Sequence, residues 1–308
     1  MKTKRFFTEA ICLITFAFFT TRLTQSVAAQ ETNLDAHLDL QTLQGLATNG
    51  DAKAEFELAA RYQTGKGVAR NYSKAAAIMR QSAEQGYAPA EGQLGFYYAR
   101  GLGVRRDLVE ALKWYQKSAD QGNAVSEYGL GYIYAKGRGA STNMDLALKW
   151  YRKAADQNEV KAQFALAEFY FYGGDPSGTN IDYAEAEKWY TRAANLGDAK
   201  AMNNLGMMYD LGYAERRDWT EAAKWYRRAA ELGNARAQGN LGTLYLDGRG
   251  VTNNVVQAYA WFALAAEKGD ATGRMYMRTF SQMQLLDASQ LVQAAQIVQA
   301  LRASHPGL

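Results

Sequence analysis

Leucine and tyrosine recur along most of this chain four residues apart, and the pair returns at a spacing of 36 residues with one interval of 39. The copies are Leu58 and Tyr62, Leu94 and Tyr98, Leu130 and Tyr134, Leu166 and Tyr170, Leu205 and Tyr209, and Leu241 and Tyr245. Positions four apart share one face of an α-helix, so each pair predicts a helix with a buried stripe. Between them stands a small residue, Ala59, Gly95, Gly131, Ala167, Gly206 or Gly242. It admits close approach by a second helix, at a propensity cost of about 1 kcal/mol where it is glycine.

Turn chemistry follows each stripe. Gly-x-Gly ends the first helix at Gly65 and Gly67, Gly101 and Gly103, Gly137 and Gly139, and Gly248 and Gly250, where positive φ is tolerated. A second helix opens at Asn71, Asp107, Asn143, Asp182, Asp218 and Asn254, all favourable N-caps, and Glu110, Glu185, Glu221 and Gln257 three residues on complete a capping-box pattern. That helix carries an alanine (Ala75, Ala111, Ala147, Ala186, Ala222, Ala258) and then an aromatic pair: Trp114-Tyr115, Trp150-Tyr151, Trp189-Tyr190, Trp225-Tyr226 and Trp261-Phe262, with Ile78-Met79 in the first copy.

One hairpin could not bury such a stripe, whereas stacked hairpins share a core and form one domain. The expected fold is therefore all-α: a right-handed α-solenoid of six helix-turn-helix repeats at 51–86, 87–122, 123–158, 159–197, 198–233 and 234–269, plus capping helices. The three extra residues of the fourth copy fall in the Gly, Asp, Pro and Ser-rich stretch 173–180, a loop. The segment 30–50 reads as an N-terminal cap with a helix over 34–48. In the C-terminal cap, 270–308, helices are expected over 271–283 and 288–303, the last offering Leu291, Ala294, Ala295, Val298 and Leu301 to the final hairpin.

Residues 1–29 change the picture of charge and compartment. Lys2, Lys4 and Arg5 form a basic start, residues 10–19 an apolar run too short to span a bilayer, and Val27-Ala28-Ala29 a small-residue cleavage site. This is the architecture of a signal peptide, cut after Ala29 or, as the close alternative, after Ala28. Cys12, the sole cysteine, lies inside the apolar run without a lipoprotein context, so the mature chain has no cysteine and no disulfide. Removing the leader's four cations and one anion from totals of 35 and 31 leaves 31 basic and 30 acidic residues. Near neutrality argues against nucleic acid or an anionic membrane as partner. No later segment reaches eighteen apolar residues, so no membrane insertion is expected after cleavage, and the location is periplasmic or secreted.

The repeat unit resembles the Sel-one-like repeat (SEL-like repeat), a relative of the tetratricopeptide repeat. The second copy shows it in full, with Ala90, Leu94-Gly95, Tyr98, Gly101-Leu102-Gly103-Val104, Asp107, Ala111, Trp114-Tyr115, Ala119 and Gly122. The resemblance implies a protein-binding scaffold: an adaptor, a periplasmic regulator of signalling or envelope processes, or a secreted factor that meets host proteins. Some exported relatives carry a disulfide across each repeat and have been described as β-lactamases or penicillin binders. This chain departs from them, having no mature cysteine and no serine followed three residues later by lysine. An envelope hydrolase acting on peptidoglycan or a β-lactam is the alternative reading, and a structural spacer without a ligand a third.

Other chemistry is sparse. His37 and His305 sit in opposite flanks, without convergent partners for catalysis or zinc. The Gly-x-Gly turns lack the third glycine of a dinucleotide fingerprint, and no phosphate-loop Gly-Lys-Ser/Thr occurs. The stretch 175–180 lacks the glutamate a calcium loop requires. Glu110, Glu185 and Glu221 each precede a lysine by three residues, Lys113, Lys188 and Lys224, as on a solvated helix face. No enzyme, metal or cofactor is expected.

What varies between copies is more informative. By analogy with tetratricopeptide geometry the first helix lines the concave side. Its sixth position reads Phe56, Gly92, Tyr128, Phe164, Asn203, Gly239 and its tenth Ala60, Phe96, Tyr132, Glu168, Met207, Thr243. Phe96, Tyr128, Tyr132, Phe164, Phe171 and Tyr172 make an aromatic centre, and Asn203, Asn204, Arg236 and Asn240 a polar flank. Rings beside side-chain amides suit another protein or an extended peptide. Export carries a direct expectation: N-terminal sequencing of protein recovered from the native host should begin at Gln30. Intact Met1-initiated protein confined to the cytoplasm would contradict it.

Overall fold

The computed structural model describes residues 39–174, 181–213 and 217–305. The expected leader, the first part of the helix over 34–48 and the insertion 175–180 lie outside these residues. Those described form fifteen α-helices and no strand.

Two compact units are resolved, one reaching to Asn123 and the other starting at Ala124. The first contains α1 (Leu40–Thr48), α2 (Ala52–Thr64), α3 (Tyr72–Glu84), α4 (Ala88–Arg100) and α5 (Leu108–Asp120). The second contains α6 (Ala124–Lys136), α7 (Met144–Asp156), α8 (Val160–Tyr172), α9 (Tyr183–Asn195), α10 (Ala199–Leu211), α11 (Trp219–Glu231), α12 (Ala235–Asp247), α13 (Val255–Glu267), α14 (Ala271–Met283) and α15 (Ala288–Ser304). Consecutive helices pair into hairpins, α2 with α3, α4 with α5, and onward to α12 with α13.

Local chemistry sets the helix ends. Asn71, Asp107, Asn143, Asp182, Asp218 and Asn254 each accept a backbone N–H of the second helix they open, as their spacing predicts. The reciprocal half of the capping box does not follow at Glu110, Glu185 and Glu221. Their carboxylates turn outward to Lys113, Lys188 and Lys224 at 2.5–2.8 Å, because an ammonium one turn ahead is a stronger partner than the cap amide. A complete box forms instead at Asp287 and Gln290, ahead of α15.

The leucine column is buried in every copy. Beside it the small-residue column meets the second ring of the opposite helix. A Cβ on Gly131 or Gly206 would lie 2.5 Å from the ring of Tyr151 or Tyr226, and one on Gly242 2.8 Å from that of Phe262. That contact offsets the helix penalty of glycine. In four of the pairs the first ring lies under a cation: Lys117 over Trp114, Lys153 over Trp150, Arg192 over Trp189 and Arg228 over Trp225, at 4.4–4.7 Å. The tyrosine column is half-buried beyond Tyr62, and four of its hydroxyls are taken by the preceding second helix. Arg80 donates to Tyr98, Arg152 to Tyr170 and Arg227 to Tyr245, while Tyr209 donates to Glu187.

At the C-terminal end α14 stacks Tyr276 on Phe262, centroids 4.2 Å apart, and buries Phe280. The last helix packs on α13 through Ala294, Ile297, Val298 and Leu301. Leu291 and Ala295, expected in that contact, are exposed. The seam follows the stripe that starts at Ala294; Ala295 is turned off it and Leu291 lies a turn before it.

Gly103 and Gly250 connect neighbouring repeats. A Cβ at either would stand 2.0 Å from a backbone oxygen, that of Tyr72 or Trp219, at the start of the preceding second helix. Gly67, in the first copy, has the same positive φ and open space around it. Gly67→Ala should therefore cost only the left-handed conformation, about 1–2 kcal/mol. Gly103→Ala should cost clearly more in denaturant unfolding, and equal losses would show that the close approach contributes nothing.

Candidate interaction face

Positions six, seven and ten of the first helices supply the candidate residues of the second unit. Tyr128 and Tyr132 stand on α6, Phe164 and Glu168 on α8, Asn203 and Asn204 on α10, and Asn240 on α12. Tyr128 and Phe164 are half-buried and lean on the inner rings of their own hairpins. Tyr128 lies 5.8 Å from Tyr151, and Phe164 meets Tyr190 edge-on at 5.6 Å. Each therefore shows only part of its ring. Tyr132 is half-buried with the Arg138 guanidinium 5.5 Å from its centroid.

Phe171 is elsewhere. It is 8% exposed and packs against Tyr183 at 5.4 Å and Tyr213 at 5.2 Å. One residue beyond the tyrosine column, the helix has turned it toward α9 and into the core. Its neighbour Tyr172 is 61% exposed and meets Phe171 edge-on at 4.9 Å. Asn203 is also buried, and works within the protein: Asn240 Nδ2 donates to Asn203 Oδ1 at 3.1 Å and Asn203 Nδ2 to Asn204 Oδ1 at 3.3 Å. Asn204 and Asn240 remain half-buried, and Arg236 is exposed. Phe96 belongs to the first unit, on α4, half-buried with Arg100 5.8 Å from its ring.

Glu168 is the group on this face that the aromatic pattern does not single out. It is exposed, yet desolvation by surrounding protein pushes its carboxyl pKa up, while Lys136 and Lys200 pull it down. Its charge in turn opposes ionisation of Tyr128, Tyr151 and Tyr190, whose hydroxyls burial has already raised.

A second set of carboxylates is hidden in the hairpins. Glu55, Glu91 and Glu127, at the fifth position, are 3–5% exposed. Each accepts from a glutamine at the end of the second helix: Gln85 at 2.7 Å, Gln121 at 2.8 Å and Gln157 at 2.7 Å. Desolvation raises all three pKa values against that bond, and Lys117 and Lys153 further oppose the rise at Glu91 and Glu127. The sequence signal was available, because Glu at the fifth position and Gln at the thirty-fifth occur together in three copies and in the other three both are replaced. There Gln163 and Gln238 donate to Ala155 O and Ala230 O of the preceding second helix.

Among the described residues no group of three or more His, Cys, Asp and Glu could hold a metal ion. None of their helices is long and apolar enough to cross a membrane. His305 Nε2 lies 3.9 Å from Glu231 Oε2, and His37 falls outside the described residues.

Stacked helical hairpins with a shared repeat core and a variable face define an all-α repeat protein of the solenoid class. The model of the Sel1 repeat matches six consecutive stretches, residues 52–87, 88–123, 124–159, 160–198, 199–234 and 235–270, and the chain belongs to the Sel1 repeat family. Sel1 repeat proteins in general mediate protein–protein interaction, and their fold is typically non-catalytic. Among solved structures, the chain is similar to a protective antigen of uropathogenic Escherichia coli strains displaying an SLR fold. Identity is 33%, the TM-score 0.75, and the match covers 88% of this chain and 57% of that one, so this chain spans little more than half its length. It is also similar to a Sel1 repeat protein from Oxalobacter formigenes, at 28% identity and TM-score 0.66, over 75% of this chain and 100% of that one. Comparison with curated proteins returns no match.

The hidden glutamates give a pH prediction. Their folded-state pKa values are raised, so the native protein holds these protons more tightly than the unfolded chain. Their contribution is complete below the ordinary carboxylate range and is lost as pH rises through the raised values. Glu127→Gln should therefore raise Tm at about pH 7 and leave little difference from wild type at about pH 4. A variant less stable at neutral pH than in acid, relative to wild type, would reverse the sign.

Proposed function

We propose that this protein is an exported scaffold that holds another protein, through a peptide segment, along the first-helix face of α6, α8, α10 and α12. The service is envelope signalling, assembly or host contact, and involves no catalytic step. The observation that carries the reading is the placing of Tyr132, the exposed parts of Tyr128 and Phe164, and the amides of Asn204 and Asn240 on one side of the repeats. Large rings displace water over a wide area while losing little side-chain entropy, and amides satisfy the backbone of an extended chain. The basic start, short apolar run and small-residue site of residues 1–29 support export. Likeness to a chain described as a protective antigen supports the host-contact branch.

Crosslinking in the native cell followed by mass spectrometry should name the partner. Tyr132→Ala should then weaken its binding by about 1–3 kcal/mol with helicity unchanged. The control is Lys149→Ala, an exposed change on the second helix α7; Lys153 is unsuitable because it covers Trp150 at 4.5 Å. Loss of capture on the α7 change but not on the Tyr132 change would move the site to the other face.

A further inference from the structure

In the first unit a hollow of about 860 Å³ opens beside the turn that joins α4 to α5. It is lined by Arg80 of α3, Tyr98 of α4, Val104, Arg105 and Arg106 of the turn, and residues 107–110 at the start of α5. Three guanidiniums meet there, and none makes an ion pair among the described residues. Arg80 donates to the Tyr98 hydroxyl and Arg106 Nε to Ala99 O at 3.2 Å, while Arg105 is exposed and has no hydrogen bond, ion pair or ring contact. The two acids of the lining are already engaged. Asp107 Oδ1 accepts the N–H groups of Val109 and Glu110 at 2.9 and 3.0 Å, and Glu110 is paired with Lys113 at 2.6 Å. Arg80, Arg105, Arg106 and Lys113 therefore stand against Asp107 and Glu110 alone, and a concave place with such an excess draws in an anion. The combination belongs to this junction of repeats. Arg152 and Arg227 occupy the position of Arg80 in their own copies, but the turns that follow them have no arginine at the positions of Arg105 and Arg106; the fifth copy has arginine at both and follows Thr191.

We infer that this hollow binds an acidic peptide segment of a protein partner, with a carboxylate held by Arg80 and Arg105 and an aliphatic side chain beside it on Val104 and Val109. The site lies apart from the first-helix face and does not depend on it. A guanidinium presents a planar fork of donors that matches a carboxylate, and each such charge-assisted bond is stronger than one between neutral groups. Arg105 has its whole fork free, and Arg80 keeps the part that Tyr98 does not take. The wall opposite the cations is apolar: Val109 is 54% exposed and Val104 half-exposed. That wall, and a volume in the range of clefts that hold whole ligands, about 300–1,000 Å³, fit an acid with an aliphatic neighbour rather than a bare ion. A basic segment is repelled by the same guanidiniums, which gives the hollow its discrimination.

The probe is a library of random peptides displayed on phage, selected on the purified protein and depleted on its Arg105→Glu variant. Arg105 has no partner to lose, so both proteins should show the same far-UV circular dichroism and Tm. The peptides retained should carry aspartate or glutamate next to an aliphatic residue. Synthetic versions should bind Arg105→Gln about ten-fold more weakly, lose affinity on Arg80→Gln as well, and weaken as salt is raised. Lys66→Gln removes an exposed cation of the same unit from outside the hollow and should bind them as tightly as wild type, as should Tyr132→Ala on the first-helix face. An equal loss on Lys66→Gln would reduce the effect to general charge attraction and overturn the site. A depleted selection with no acidic position, or with no binder, would overturn it too. Vesicles containing phosphatidylglycerol that bind through Arg105 where the acidic peptides do not would give the hollow to a lipid phosphate and overturn the peptide assignment. In each of these cases peptides that depend on Tyr132 would leave the first-helix face standing.

Discussion

In the hairpins that carry glycine between leucine and tyrosine, the distance between the two helices is set where the ring of the second helix rests on that glycine. Tyr151 on Gly131, Tyr226 on Gly206 and Phe262 on Gly242 leave no room for a methyl group in the backbone positions they cover. Much follows from that approach. With the inner ring committed, the adjacent tryptophan lies at the margin of the core, half-buried at Trp114 and Trp225 and buried at Trp150 and Trp189, and lysine or arginine one turn on covers it. The leucine of the first helix is then sealed, and the tyrosine four residues later is left at the edge, its hydroxyl within reach of the preceding repeat.

This framework was legible in the sequence because it is periodic. Leucine, glycine, the aromatic pair and the Asp or Asn caps recur at fixed offsets, and the helices end where those signals stand. Features that depend on partners in other repeats or on rotation about a helix were harder to read. Whether Glu110 bonds back to its cap or forward to Lys113 is a competition between two neighbours at equal sequence distance, and only side-chain geometry decides it. Phe171 and Tyr172 are adjacent in sequence and opposite in environment, one in the core and one 61% exposed, because consecutive helical residues face different ways. Glu55, Glu91 and Glu127 were hidden by composition: an acid in a helix reads as surface until its glutamine, thirty residues on, is seen to belong to it.

The candidate face draws on the positions the framework leaves free. At the sixth position Tyr128 and Phe164 are shared between core and surface, each touching an inner ring. A ligand pressing on them presses on the same rings that hold the hairpins. The tenth position is less constrained, and it is there that Tyr132 and Glu168 differ most from their counterparts in other copies. The candidate face thus combines residues anchored by packing with residues that vary from copy to copy.

The contact made by Gly103 and Gly250 is read backbone to backbone, a turn against the first carbonyl of the preceding second helix. It makes no demand on either repeat's side chains beyond the glycine itself. A junction of that kind is modular in the genetic sense: a 36-residue unit duplicated or lost in frame brings its own turn to whatever helix precedes it. The length of such a chain, and with it the number of faces it can offer a partner, is then free to change by whole units while the rules for joining them stay the same.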